Sequence, residues 1–508
     1  MSEDPNKTPP AEGGGSYRQI LRSSSIIGGA SVINIVIGLG RTKVAALLLG
    51  PAGLGLIGLL QSLMGTASTV AALGLGTIGT RQIAEAVGQE DAEAVGRSRR
   101  ALFWGTLGLS VLGGSTFWLL RGVLAEQILG DPEMSSEVGW LTLGVSLTVA
   151  AGSQSALLKG LRRVGDIARV SIFSSVVSTA LGVGALLLWG RDGILAFVLT
   201  VPLASFVLGH VYVARLPRVQ APPTRLSQLV RQWRVLARLG VAFTLAGLVG
   251  TVGQLALRTL IQHDLGAESL GYFQAAWKIS MTYVGFVLQA MGLDYYPRLT
   301  AIIADHEGAR RLVNEQAEVA LLLAGPVFLV ALGLAPWVIT VLYSAEFDAA
   351  VSVLRWQILG DLLKVASFPL AFVILAAGHG RTFVATESLA VVLLLGVSWL
   401  TLPLVGIEGT GIAFLSMYAV YLPIVYGLAR RSIGFRWDPD TLRDLAVLFT
   451  VASAVSALSA WSAWGGGVAG VSASLVFGVY SVRRLSRMAG LTGVLSRIAS
   501  LGRRRKPR

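Results

Sequence analysis

Six cations and two carboxylates stand where a chain this apolar should carry no charge. Arg41, Lys43, Arg258, Lys278, Arg355 and Lys364 interrupt long runs of Leu, Val, Ala and Gly, as do Asp361 and Glu387. If those runs cross a bilayer, a cation at the centre costs about 2.5–3.5 kcal/mol, so it has to face water, a partner or a ligand. Depth separates the six. Lys364 falls about 14 residues into its run, near the midplane. Lys278, eight residues from the outer end of its run, and Arg41, nine residues before Gly50, lie roughly 12–14 Å deep at ~1.5 Å per residue. Arg258 and Arg355 are about five residues from an end and can snorkel to the interface. Arg41 and Lys43, two residues apart, point in nearly opposite directions on a helix, so at most one faces a given cavity. Asp361 and Lys364 are three apart and share a face. They form either a locking ion pair or a switch opened by an anionic ligand or a proton. Glu387 is either a protonatable coupling group or a structural hydrogen-bonder. Cations from both halves of the chain predict a positive central cavity. In an apolar wall such a cavity attracts anions, and phosphate oxygens are natural partners for Arg and Lys.

Other chemistry is excluded by what is missing. The chain has no cysteine, which removes disulfides, iron–sulfur sites and thiolate nucleophiles. Its four histidines (His210, His263, His306, His379) are scattered without metal-ligand spacing. No G-x-x-x-x-G-K-[ST] loop occurs, so ATP hydrolysis is not expected, and no cofactor is called for. A net charge of +14 suggests nucleic acid until its distribution is considered.

Fourteen apolar stretches, from 23–49 to 465–482, divide the 508 residues. Each is about 20 residues or more, enough to span ~30 Å of hydrocarbon as a helix. Alternate connections hold 34 of the 42 basic residues, whereas the opposite set holds only Arg121 and Arg191. Cytoplasmic loops retain basic residues, so both termini are expected in the cytoplasm. The charge is a record of topology, and nucleic acid is rejected as a partner. The first helix is expected to insert without cleavage of a leader. The fold class predicted is an all-α polytopic membrane protein of about 14 transmembrane helices, with membrane lipids as its surroundings.

Two halves are visible. Leu49-Gly50-Pro51-Ala52-Gly53-Leu54-Gly55 reappears 216 residues later as Leu265-Gly266-Ala267-Glu268-Ser269-Leu270-Gly271. A weaker echo links Lys159-Gly160-Leu161-Arg162-Arg163 with Ala377-Gly378-His379-Gly380-Arg381. The repeat spans an even number of stretches, so the halves share one orientation. The expected layout is a disordered tail over 1–17, an N-lobe of six spans over 18–214 and a basic linker over 215–238. A C-lobe of six spans follows over 239–430, then an extra helix pair over 431–482 and a basic tail over 483–508. That tail ends in Arg503-Arg504-Arg505-Lys506-Pro507-Arg508, which suits topology anchoring or anionic lipid. Pro202, Pro326, Pro336, Pro369, Pro403 and Pro423 are expected within spans, where each frees a backbone carbonyl and permits a kink.

Several of these runs resemble a known family. Gly38-Leu39-Gly40 through Lys43 to Gly55 is similar to the first-span signature of the O-antigen and lipid III flippases. These form the polysaccharide transporter branch of the multidrug/oligosaccharidyl-lipid/polysaccharide exporter superfamily. Trp356-Gln357-Ile358-Leu359-Gly360-Asp361-Leu362-Leu363-Lys364-Val365 resembles that family's tenth span more closely. Leu158-Lys159-Gly160, Arg258, and Arg381 with Glu387 also match. The resemblance covers roughly residues 18–430. It implies two six-helix lobes around a V-shaped cavity that opens alternately to either side. It implies an undecaprenyl-diphosphate-linked oligosaccharide as substrate, driven by H+, Na+ or membrane potential, with a polysaccharide polymerase as a further partner. Lys43, Arg258, Asp361, Lys364 and Glu387 occupy matched positions, while Arg41, Lys278 and Arg355 rest on burial alone. Spans thirteen and fourteen depart from twelve-span members and resemble some capsule exporters and the lipid II flippases.

The function expected is therefore a secondary transporter of the bacterial inner membrane, not an enzyme: a flippase for a lipid-linked O-antigen, capsule or exopolysaccharide repeat unit. A lipid II flippase and a multidrug cation antiporter are the alternatives, the latter requiring an acidic cavity. A membrane glycan polymerase or glycosyltransferase would need a long catalytic loop, and no outer loop here exceeds roughly 20 residues. A purely structural scaffold would leave the deep cations unexplained.

Overall fold

The computed structural model describes residues 13–217 and 226–488. Residues 1–12 of the expected tail, 218–225 of the linker and the terminal Arg503–Arg508 run lie outside them. Among the described residues the chain is helical throughout, without strands. In order, the helices are α1 (Gly13–Ala72), α2 (Leu75–Gly88), α3 (Ala92–Leu119), α4 (Arg121–Leu124), α5 (Ser135–Gly160), α6 (Val164–Trp189), α7 (Ile194–Ala214) and α8 (Leu226–Ile302). They continue with α9 (His306–Gly333), α10 (Ala335–Leu342), α11 (Ala350–Ala376), α12 (Gly380–Val405), α13 (Glu408–Ile433), α14 (Pro439–Trp461) and α15 (Ala463–Met488).

Ten segments among the described residues are long and apolar enough to cross a membrane. Two of them, Ile26–Ala72 and Val164–Ala214, each hold two of the expected stretches. The seventh and eighth stretches lie in α8, on either side of a break at Gly266. Large apolar side chains such as Leu119, Leu188, Leu404 and Trp461 stand exposed along these helices. Hydrocarbon rather than water suits such a surface. The chain is a multi-pass membrane protein.

The duplication is written in the backbone. Gly50 breaks α1 at φ 64 and ψ −169, and Gly266 breaks α8 at φ 81 and ψ 178. The same spacing of 216 relates the left-handed Arg162 to Gly378, and Gly190 to Gly406. Glycine suits these points because it reaches positive φ without a Cβ clash. The second echo is thereby corrected. Arg162, not Gly160, is the counterpart of Gly378, because the turn geometry sets the register.

Other local expectations also shift. α1 begins at Gly13, inside the segment expected to be disordered, and α8 begins at Leu226, inside the expected linker. Pro336 does not kink a span. It occupies the first turn of the separate α10, where its missing N–H costs nothing. Pro202, Pro326, Pro369, Pro403 and Pro423 do lie within helices.

The helices gather into two compact units. Among the described residues, the first comprises 13–48, 60–127, 131–217 and 226–248. In it α5 packs on α2, α3 and α7, and α6 packs on α7. The second comprises 49–59, 128–130 and 249–488. Its centre is α11, packed mainly on α13 and α9. The extra pair α14 and α15 leans on α9. Gly466 and Gly470, four apart on α15, meet Gly333 of α9 so closely that a Cβ on any of them would strike backbone. Small residues at this spacing let membrane helices approach. At one end Arg484 holds Glu318 at 2.6 Å and Asp440 at 2.8 Å, tying the three helices together.

The short Leu49–Leu59 segment joins the second unit through an equally close crossing, with Gly271 against the Pro51 carbonyl. Because backbone cannot retreat as a side chain can, Gly271→Ala is expected to destabilise the protein by about 1–3 kcal/mol. A lowered unfolding midpoint in detergent is the check, and an unchanged midpoint would contradict the crossing.

Candidate functional site

α11 carries Arg355, Asp361 and Lys364 within an otherwise apolar helix of the second unit. Asp361 is fully buried on it. Its Oδ2 accepts hydrogen bonds from Ser280 Oγ at 2.6 Å and Tyr283 OH at 2.8 Å. Both donors lie on α8, three residues apart and so on one face. Oδ1 is buried without a hydrogen-bond partner. Two hydroxyl donors are what a buried carboxylate needs in place of water.

Lys364 lies one turn further along α11 and takes a different environment. The expected pairing with Asp361 is not made as a direct ion pair, since the carboxylate is turned toward α8. Lys364 Nζ instead points at Met281 Sδ, 3.5 Å away. It sits 5.8 Å from the Phe414 ring and 5.9 Å from the Tyr418 ring. Aromatic faces attract ammonium through their quadrupoles, but they leave its strong N–H donors for a better acceptor.

A cavity of about 230 Å³ opens beside this ammonium. Lys364, Phe368, Phe372, Glu387, Tyr418 and Tyr421 are among its lining residues. Glu387 reaches it from α12, and Tyr421 on α13 donates to Glu387 Oε1 at 2.6 Å. One cation and one carboxylate therefore share a small aromatic chamber.

The remaining predicted residues are placed elsewhere. Arg41 is buried within the first unit. Its Nη1 donates to Ser178 Oγ at 3.2 Å, and its Nη2 to Thr200 Oγ1 at 3.1 Å and to the Phe197 carbonyl. Its guanidinium also lies 4.1 Å over the Phe197 ring. This arginine ties α1 to α6 and α7. Arg258 does not snorkel. It is buried, donating to Gln274 Oε1 at 3.2 Å and to the Gln254 carbonyl at 3.0 Å, beside the rings of Phe273 and Trp277. Lys43 is half-buried and Lys278 exposed. Arg355 is half-buried, within electrostatic reach of Glu408 and Asp348. Of the six cations, Lys364 is the one that lines the cavity of the second unit.

Ser280, Tyr283, Tyr418 and Tyr421 are absent from the residues expected on sequence grounds. Their signal is nonetheless present: two pairs of hydroxyl-bearing residues at i, i+3 spacing inside apolar runs. Hydroxyls in such runs are common enough that only the fold shows which of them face a charge.

The comparisons with known proteins agree with this architecture. A family model described as polysaccharide biosynthesis protein matches residues 44–352. The lipid III flippase of Escherichia coli (strain K12) is 25% identical over 417 residues, covering 80% of this chain and 98% of that protein. Among solved structures, the lipid II flippase MurJ in an inward closed conformation gives a TM-score of 0.68 at 11% identity, covering 90% of this chain and 98% of that one. An inward-facing multidrug resistance transporter of the MATE family gives 0.61 at 16% identity, covering 79% and 94%. Those structural likenesses establish a shared fold.

Arg41 and Lys364 should separate under mutation. Arg41→Ala removes three hydrogen bonds and an aromatic contact that join α1 to α6 and α7 and is expected to cost about 1–3 kcal/mol. Lys364→Ala, beside an existing cavity, should leave the unfolding midpoint nearly unchanged. Thermal unfolding in detergent reads both, and equal losses would contradict the assignment.

Proposed function

The chain belongs to the polysaccharide biosynthesis protein family, and from that premise we propose that it is a flippase for a lipid-linked oligosaccharide. The substrate class proposed is an undecaprenyl-diphosphate-linked repeat unit. The observation that carries the reading is the state of Lys364: an ammonium held inside a span by a thioether and two aromatic faces, beside a cavity. A diphosphate oxygen offers that ammonium a far stronger acceptor than any it has. In a site shielded from water the attraction is strengthened. The polyprenyl tail stays in lipid while the polar head is carried across.

Net movement needs two access states and a driving force. Alternating access supplies the first, and H+, Na+ or the membrane potential the second. Glu387 is the coupling group proposed, because its contact with Tyr421 joins α12 to α13 across the cavity. Protonation of Glu387 would weaken that contact. Asp361, held by two hydroxyls, serves as the fixed countercharge of the chamber. The protein is proposed to act in the bacterial inner membrane with both termini in the cytoplasm, as the placement of basic residues implies. A polymerase that joins the exported units would follow it. No bond of the substrate is made or broken. A multidrug cation antiporter is disfavoured, since Lys364 repels a cationic drug from this cavity.

Reconstitution in liposomes with a labelled undecaprenyl-diphosphate-linked oligosaccharide tests the reading. The protein should expose the glycan on the far leaflet. Lys364→Ala should slow this by about 10- to 100-fold, as for loss of a charged hydrogen bond, and Lys364→Arg should restore part of it. Failure of the unaltered chain to move the lipid rejects the flippase reading, while an unimpaired Lys364→Ala rejects the phosphate contact.

A further inference from the structure

A second cavity, of about 350 Å³, lies wholly within the first unit among α5, α6 and α7. Its lining is unlike that of a membrane core. Six serines face it, from all three helices: Ser155 on α5, Ser171, Ser174, Ser175 and Ser178 on α6, and Ser205 on α7. The four on α6 recur at i, i+3, i+4 and i+7, which makes one continuous polar face. No carboxylate and no aromatic ring lines the cavity, and Lys159 is its single cation, exposed at the end of α5.

Hydroxyls in membrane helices usually satisfy themselves by donating to a carbonyl of the preceding turn. Ser68, Thr69 and Thr148 do so here. Ser155, Ser175 and Ser205 do not: among the described residues their hydroxyls enter no hydrogen bond, and each comes from a different helix. Beside them, the buried Oε1 of Gln154 also lacks a partner. It lies against Gly209 at the cavity wall, where a Cβ would collide with it. Three uncommitted hydroxyls, one from each helix, thus line one void, with the unpartnered Gln154 oxygen against its wall at Gly209.

The charge balance selects the ligand. Arg41 stands behind the cavity with its guanidinium engaged by Ser178, Thr200 and Phe197, so it repels cations without offering a free fork to phosphate. Hydroxyls that both donate and accept suit a neutral, hydroxyl-rich ligand. The volume is at the lower end of small-molecule pockets, about 300–1,000 Å³. We propose that this serine-lined cavity is a sugar subsite, which receives a ring of the lipid-linked glycan through Ser155, Ser175 and Ser205. The inference rests on the flippase reading and adds where the glycan is recognised.

The test presents the full-length chain in detergent with an equimolar mixture of undecaprenyl diphosphate and the undecaprenyl-diphosphate-linked glycans extracted from its own cells. Native mass spectrometry then measures the ratio of glycan-bearing to bare lipid retained. The unaltered chain should favour the glycan-bearing form. The triple variant Ser155→Ala, Ser175→Ala, Ser205→Ala should lose about tenfold of that preference, the loss of one or two hydrogen bonds, while binding bare undecaprenyl diphosphate as before. Because serine to alanine removes only an oxygen, the unfolding midpoint should hold, and Ser205→Ala alone is a milder form that should lose part of the preference. A preference unchanged in both variants makes the cavity a hydrated packing feature and overturns the subsite. Equal loss of both lipids also overturns it. A chain that retains neither lipid before any substitution overturns the flippase reading itself.

Discussion

Charge inside hydrocarbon must be solvated by the protein, and the arrangement of both units follows from how that is done. Arg41 and Arg258 are solved in the same way, by carbonyl, amide or hydroxyl oxygens and an aromatic face, with no carboxylate in direct contact. Each is a tie between parts of its own unit. Asp361 is solved by two hydroxyls of α8. Lys364 has the softest direct contacts of the set, a sulfur and two rings, with Asp361 and Glu387 within electrostatic reach. A group solvated that weakly beside a cavity is the one a ligand can reach with most to gain.

Glycine plays the complementary part. The breaks at Gly50 and Gly266 let α1 and α8 turn where a side chain would resist a left-handed backbone. Close crossings, such as Gly271 on Pro51 and Gly333 on Gly470, bring backbones together. In lipid there is little hydrophobic drive between helices, so packing at short range and interhelical hydrogen bonds hold them. The polar ties of Arg484 to Glu318 and Asp440 add to this on the extra pair.

The two cavities divide chemistry between them. That of the second unit is aromatic with a cation and a carboxylate, whereas that of the first is lined by hydroxyls and carries almost no charge. A substrate with an anionic link and an uncharged glycan has two kinds of surface to be recognised, and the proposed roles of the cavities follow that division.

Much is legible in the residues alone. Apolar run length, the concentration of Arg and Lys in alternate connections and the repeated Leu-Gly segment determine a duplicated, helical, multi-pass chain, because insertion energetics act on each stretch independently of its neighbours. The position of Lys364 and Asp361 within an apolar run is legible in the same way, by counting along a helix. What they touch does not follow. The expected Asp361–Lys364 pair gives way to Ser280 and Tyr283 on one side and Phe414 and Tyr418 on the other. Arg41 proves to be a tie within its unit. Spacing along one helix says which side chains share a face, but it is the neighbouring helix packed on that face that supplies the competing donors. Tertiary structure alone decides which of several possible partners lies within hydrogen-bond reach, since those bonds act over about 3 Å between residues tens of positions apart.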